Sequence, residues 1–262
     1  MSQPLWHKVV IITGASAGIG QATAAALAQA GAHVVLTARR SDRLHKLVDE
    51  LGAYPGRRLA LAGDIRDKKF ADKLIRATAD TFGRVDVLIN NAGIGHRNAL
   101  VTMPSADIQM IWDTNVIAMF HLAQTAALQM QQQNSGQIIN ISSIVSQRPL
   151  PQNGVYCASK TAVNFLSRSL RMELRPYHIK VTLVYPGLTA TEFGTARLGE
   201  KGPNKFGLTG VPAAKVAQKI VGAIENGRSE VYITWYDWLF AHLNRLFPRS
   251  IDWVITSGAN KI

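Results

Sequence analysis

Tyr156-Cys157-Ala158-Ser159-Lys160 is the segment whose residue types and spacing most directly suggest chemistry. It falls at the start of a predicted helix, where residues four apart share a face, so a phenol and an ammonium would stand side by side. A free tyrosine, with a pKa of about 10, is a poor base at neutral pH. A neighbouring cation favours the phenolate and is expected to bring that pKa towards the working range, which suits proton transfer. Thirteen residues upstream, Ser142-Ser143 closes a predicted strand. A serine hydroxyl there can hydrogen-bond a substrate oxygen as charge develops on it, or simply make a strand-end turn.

A second group could hold a phosphorylated ligand. Thr13-Gly14-Ala15-Ser16-Ala17-Gly18-Ile19-Gly20 lies between the first predicted strand and the first predicted helix. Glycines let the chain turn sharply and expose bare backbone, and the helix start offers unpaired N–H groups and a positive dipole end to a pyrophosphate. The spacing, Gly-x3-Gly-x-Gly, differs from the G-x-G-x-x-G fingerprint. The second strand leads into Ala38-Arg39-Arg40, where NAD-binding chains usually place an acid for the ribose 2′-hydroxyl. A guanidinium can instead grip a 2′-phosphate, so NADP(H) is the expected cofactor. The two arginines also read as a lead-in to a helix capped by Ser41 or Asp42. Asp42 reaching back to the ribose would leave room for NAD(H).

Positioning these groups requires strands alternating with helices. Strands are predicted at Val9–Thr13, His33–Thr37, Leu59–Gly63, Val85–Asn90, Gln137–Ser142, Lys180–Tyr185 and Glu230–Thr234. Helices are predicted at Gly18–Ala30, Asp42–Leu51, Asp67–Phe82, Ala106–Gln133, Val155–Arg175 and Ala213–Asn226. That rhythm specifies an α/β chain: a doubly wound Rossmann fold, with a predominantly parallel seven-stranded sheet and helices on both faces. Residues 1–262 are read as a single dinucleotide-binding domain. Leu188–Val211, with five glycines and a Gly-Pro step, is read as a mobile substrate loop. Residues 235–262 form an aromatic amphipathic tail holding three of the five tryptophans.

With these features the sequence resembles the short-chain dehydrogenase/reductase family, from Lys8 to about Thr234. The resemblance rests on Gly14/Gly18/Gly20, Asn90-Asn91-Ala92-Gly93, Asn115, Ser143, Tyr156/Lys160, and Pro186-Gly187 with Thr191. It implies that Tyr156 is the general acid/base and that Ser143 orients and polarises a carbonyl. It further implies that Lys160 binds the nicotinamide ribose and depresses the tyrosine pKa, and that Asn115 helps hold a proton-relaying water. By the same resemblance Asp64 contacts the adenine and Asn91 the adenosine side, with Ser16, Ile19, Ile65, Ala92 and Gly93 also at the cofactor. The Ile141 backbone, Pro186, Gly187 and Thr191 would line the nicotinamide end. Ala17 departs from the basic residue that many NADP-preferring relatives carry. The implied activity is NADP(H)-dependent interconversion of a ketone or aldehyde and an alcohol, with reduction as the cellular direction and a moderately hydrophobic substrate. The alternatives are a 3-oxoacyl thioester reductase, for which Lys201 and Lys205 would meet an acidic carrier, and a non-catalytic nucleotide- or lipid-surface-binding protein that keeps the fold. A homodimer or homotetramer through Ala106–Gln133 and Val155–Arg175 is expected.

Composition narrows the classes. A net charge of +12 comes from scattered Lys and Arg, so a solvated basic surface is expected and no nucleic-acid partner. One cysteine, Cys157, excludes an intrachain disulfide, and no stretch reaches the ~18 apolar residues of a membrane span. A cytoplasmic location is expected. His96 is the one histidine near the predicted active-site loops, no metal-ligand spacing is present, and a metal is not expected. In the tail, Leu239, Leu243, Leu246 and Phe247 fall on one helical face, flanked by Trp235, Trp238 and Trp253. That stripe is expected to pack on the subunit or on a partner subunit; a lid and peripheral membrane contact are the alternatives.

Overall fold

The computed structural model describes residues 5–200 and 209–259. Its strands are β1 (Val9–Thr13), β2 (His33–Ala38), β3 (Arg58–Ala62), β4 (Val87–Asn90), the two-residue β5 (His96–Arg97), β6 (Gly136–Ile141) and β7 (Ile179–Tyr185). The remaining strands are the two-residue β8 (Thr189–Ala190), β9 (Leu198–Gly199) and β10 (Val211–Pro212), and β11 (Glu230–Tyr232). Helices are α1 (Gly18–Gln29), α2 (Ser41–Glu50), α3 (Lys68–Phe82), α4 (Ser105–Trp112) and α5 (Met119–Gln132). They continue with α6 (Gly154–Leu174), the single turn α7 (Phe193–Ala196), α8 (Ala213–Asn226), α9 (Trp235–Leu246) and α10 (Pro248–Ala259).

Seven strands form one parallel sheet in the order β11-β7-β6-β4-β1-β2-β3. A parallel sheet covered on both faces needs strands that are apolar throughout, and Val9–Thr13 is buried at every position. Alternation then divides its side chains between two cores. Val10 and Ile12 pack with Leu27 of α1, Leu44 of α2 and Ile220 of α8. Val9 and Ile11 face the opposite way, with Leu74 of α3, Leu122 of α5 and Leu170 of α6. Because every pairing is parallel, Thr13, Asn90, Ile141 and Tyr185 all end at one edge. Strand order reverses between β1 and β4, and open α/β sheets bind ligands in the crevice at such a switch point.

Four expectations change. The long helix over 106–133 is interrupted by a π-helical stretch, Asp113–Ala118, where Asn115 turns its carboxamide onto the Ile94 backbone. The last strand stops at Tyr232, because Thr234 caps α9. The N-cap of α2 is Arg40, with no side-chain cap from Ser41 or Asp42. The segment after β7 holds more pairing than a structureless loop: β8 pairs with β10, and β9 with β5. Lys201 and Lys205 lie outside the described residues.

Candidate active site

The glycine turn is held by its own neighbours. Gly14 and Gly18 have φ of +64° and +57°, conformations that disfavour any Cβ. The Asn91 Nδ2 donates to Thr13 O at 2.8 Å and Gly14 O at 3.2 Å, while the Asn91 and Ala92 N–H groups both reach Thr13 Oγ1 at 2.9 Å. Asn91 thus ties the end of β4 to the end of β1. Helix α1 then begins at Gly18 after Ala17, with no side-chain cap and no acidic residue in its first turn. The N–H groups of Gly18, Ile19 and Gly20 therefore keep the unsatisfied donor capacity that an anion can take up. The Thr191 side chain lies over Gly18, so a Cβ there would sit 3.1 Å from Thr191 Cβ.

The two arginines after β2 differ in availability. Arg40 donates to Ser16 Oγ at 3.1 and 3.2 Å and to Glu192 Oε2 at 3.1 Å, and Arg43 grips the same carboxylate at 2.8 and 2.9 Å. The two guanidinium groups hold the Glu192 carboxyl below the usual carboxylate range. Arg39 is exposed and has no hydrogen-bond or ion-pair partner among the described residues. Asp64 is occupied by Arg66, through paired bonds of 3.0 and 2.5 Å that hold its carboxyl below the usual range. Asp64 and Ile65 line an open cleft of about 500 Å³ between the start of α3 and the π-helical stretch.

Ser143, Tyr156 and Lys160 converge at the carboxyl edge. Ser143 follows the end of β6 in extended backbone, and its hydroxyl is loosely engaged, 3.4 Å from both Pro186 O and Val145 N. Behind it, Ser142, Ser146 and Asn164 form a buried hydrogen-bond network that fixes the turn onto α6. Tyr156 enters from the first turn of α6 with the Phe193 ring 5.8 Å away. Burial pushes its phenol well above the ordinary tyrosine range, and hydrogen bonding with Ser143 opposes that shift. Lys160 is 5% exposed and donates to Ile141 O at 2.8 Å. Burial lowers its ammonium to about 8.

The expected depression of the phenol by Lys160 is therefore not what governs Tyr156: removal from water dominates. A phenol that holds its proton is poised as an acid. Lys160 gives a stability prediction. Its folded pKa lies below the unfolded value of 10.5, so the unfolded chain binds more protons between pH 8 and 10.5 and stability rises with pH across that window. Relative to Lys160→Met, the native chain should gain up to about 3 kcal/mol between pH 7 and 10, read from urea midpoints at each pH. A flat difference would show that the ammonium is not desolvated.

Asn115 lies beside this group, buried and fully engaged: Oδ1 accepts from Ile94 N at 2.8 Å, and Nδ2 donates to Ile94 O at 2.9 Å and Ser159 Oγ at 3.2 Å. A Cβ on Gly93 would lie 3.1 Å from Asn115 Oδ1 and 3.5 Å from Lys160 Nζ, so these three residues adjoin. Pro186 O accepts from Ile144 N at 2.9 Å, closing the turn after β7 against that after β6.

His96 is 2% exposed and paired with Asp107 at 3.1 Å, on a strand clipped to β9. The reading of the tail changes. The apolar stripe of the tail is largely uncovered within the subunit: Leu239, Leu246 and Phe247 are exposed and Leu243 is half-buried, while Asp237, Ala241 and Asn244 are buried. Cys157 is buried, and its thiol is pushed up by desolvation, which removes the thiolate a reactive cysteine needs. Residues unforeseen in the sequence are Glu192, Phe193 and Asp237. The Asp237 carboxylate lies against Gly187, where a Cβ would be 2.6 Å from Oδ1. The Thr234-x-x-Asp237 spacing is a capping-box pattern and was the available signal.

Known proteins are similar to this chain in sequence and in fold. The family model for short chain dehydrogenase matches residues 8–201. The chain is 36% identical over 258 residues to "11-beta-hydroxysteroid dehydrogenase-like 3" of Arabidopsis thaliana, covering 94% of this chain and 80% of that one. A short-chain dehydrogenase/reductase from Burkholderia phymatum, solved in complex with NAD, superposes with TM-score 0.84 at 27% identity, covering 94% and 95% of the two chains. An alcohol dehydrogenase from Thermococcus sibiricus, complexed with 5-hydroxy-NADP, gives TM-score 0.77 at 27% identity, covering 86% and 94%. The matched segment contains the glycine turn, Asn115, Ser143, Tyr156 and Lys160, and the chain belongs to the short-chain dehydrogenase/reductase family of oxidoreductases.

Proposed function

We propose that the protein is an NADP(H)-dependent reductase of a moderately hydrophobic ketone or aldehyde, with Tyr156 as general acid/base. The observation that carries this reading is the meeting of Ser143, Tyr156 and Lys160 at the same edge of the sheet as the uncapped start of α1. The residues suit a dinucleotide: bare N–H groups at Gly18–Gly20 for the pyrophosphate, and an exposed guanidinium at Arg39, engaged in no hydrogen bond, for a 2′-phosphate. When bound, the nicotinamide supplies or accepts the hydride. The Ser143 hydroxyl donates to the carbonyl oxygen, and the Tyr156 O–H gives that oxygen its proton. Lys160 holds the ribose side and, with Asn115, adjoins the route by which Tyr156 regains a proton. The raised phenol pKa suits the acid role that carbonyl reduction asks of Tyr156.

Assembly as a homodimer or homotetramer belongs to the same reading. Met110, Ile117 and Leu128 are exposed along α4 to α5, and Phe165 and Met172 along α6.

Cofactor choice is tested by fluorescence titration with NADPH and NADH. Binding of NADPH should be at least about tenfold tighter, and Arg39→Ala should remove most of that preference, since one charge-assisted contact to phosphate contributes on this scale. Glu192→Gln, which frees Arg40 and Arg43 of their carboxylate, should strengthen NADPH binding without changing NADH. Equal or tighter NADH binding by the native chain would overturn the NADP(H) assignment and leave Asp42 or backbone as the ribose contact.

A further inference from the structure

Helices α9 and α10 carry their polarity in reverse for a helix pair resting on a protein body. Towards the body α9 turns Asp237, Ala241 and Asn244, spaced i, i+4 and i+7, each less than a tenth exposed. Outward stand Trp235 (75% exposed), Trp238 (50%), Leu246 (70%) and Phe247 (57%), and Trp253 (70%) follows on α10. Exposed large apolar side chains grouped on adjoining helices mark an interaction surface.

Charge identifies the occupant. Arg245 and Arg249 are exposed beside this face. The acids of the two helices are engaged elsewhere: Asp237 is buried in the cap with Thr234, and Asp252 is ion-paired with Arg148. The chain as a whole carries +12. A second copy seated on this face in two-fold symmetry would bring like charges together, whereas an anionic lipid surface complements them. Tryptophan and arginine on a short helix also match the headgroup boundary. No helix among the described residues is long and apolar enough to cross a membrane, so contact would be in the plane of the surface.

We propose that α9 and α10 dock in-plane on a bilayer containing anionic lipid, with Trp235, Trp238, Leu246, Phe247 and Trp253 entering the headgroup–acyl boundary. The helix pair that docks also borders the substrate side of the active site, through its inner face. Asn244 Nδ2 donates to Gln147 O, Arg148 donates to Pro248 O at 2.9 Å, and Asp237 lies against Gly187. Docking would hold the turns carrying Ser143 and Gly187 close to the bilayer, within reach of a lipophilic carbonyl compound dissolved there. This last step rests on the reductase reading above; the docking does not.

The test is flotation of the full chain with vesicles of phosphatidylcholine alone and of phosphatidylcholine with about 30 mol% phosphatidylserine. The native chain should float with the anionic vesicles and partition at least about tenfold less onto phosphatidylcholine alone, because each basic residue near the surface contributes on that order. Trp238→Ser/Phe247→Ser and Arg245→Glu/Arg249→Glu should each lower partitioning by about tenfold or more. Both should keep native circular dichroism and unchanged turnover of a small water-soluble aldehyde. Absence of flotation with either vesicle overturns the proposal. So does a copy–copy face, seen as a native dimer that Trp238→Ser/Phe247→Ser converts to monomer without any native flotation. Flotation by a protein that turns over no carbonyl would support docking and overturn delivery to the active site.

Discussion

Replacing Tyr156 with Phe should lower kcat for carbonyl reduction by about a thousandfold, within the range contributed by a positioned acid or base. The ring remains, so its contact with Phe193 and the packing of α6 should survive, and nucleotide affinity should stay within about twofold. Steady-state kinetics beside a fluorescence titration separates these effects, because loss of a transition-state proton donor lowers kcat without weakening binding. The phenol also sets the pH profile. Its pKa is raised by burial, so the protonated phenol that reduction uses persists through pH 6 to 9, and a fall in rate over that range should follow loss of the Lys160 proton near pH 8. Alcohol oxidation uses the deprotonated form and should climb with pH over that range. A bell centred near neutrality for reduction would mean that another group supplies the proton. Near-native turnover by Tyr156→Phe would mean that the phenol does not.

Gly20→Val should abolish measurable binding of either dinucleotide, a loss of at least about a hundredfold, and destabilise the fold by about 1 to 3 kcal/mol through overpacking. A Cβ at Gly20 would lie 2.4 Å from Gly14 O and 2.6 Å from Asn91 Nδ2. The carbonyl belongs to the backbone of the turn and cannot rotate away. Relief must come from displacing Gly14 or Asn91, and Asn91 is the clamp that joins the ends of β1 and β4. The N–H groups of the α1 start would then lose their alignment. Thermal melting shows whether the chain stays folded, and titration of the folded variant reads the binding loss. Unchanged affinity in a folded Gly20→Val protein would place the nucleotide away from this turn.

Much of the architecture was legible because it depends on local pattern. The apolar run at Val9–Thr13 could only be a strand buried on both faces, and its glycine turn led directly into α1. Tyr156 and Lys160 share a helix as their spacing requires. What remained hidden depends on long-range contacts. The π-helical stretch at Asp113–Ala118 accompanies an Asn115 side chain bonded to the Ile94 backbone, twenty-one positions away, and no periodicity in the helix encodes that. Glu192 reaches Arg40 and Arg43 across about 150 positions, and no local pattern shows that Arg39, unlike Arg40, makes no hydrogen bond. Burial likewise reversed the expected shift of Tyr156, since side-chain type and spacing say nothing about access of water. The tail misled for a related reason. A leucine stripe ordinarily marks the inward face, but in α9 the capping pair Thr234 and Asp237 and the Asn244 bond to Gln147 fix the polar face inward.

The central claim is that this chain transfers hydride between a nicotinamide cofactor and a carbonyl carbon with Tyr156 delivering the proton. Its most direct test is isotope transfer. The native protein and Tyr156→Phe are incubated with C4-deuterated NADPH or NADH and a panel of lipophilic ketones and aldehydes, and the alcohols are read by mass spectrometry. The predicted result is one deuterium on the carbinol carbon of the native product, with label incorporation about a thousandfold slower in Tyr156→Phe. Alcohol formed without deuterium, or no turnover of any carbonyl by a native protein that binds the nucleotide tightly, would contradict the account.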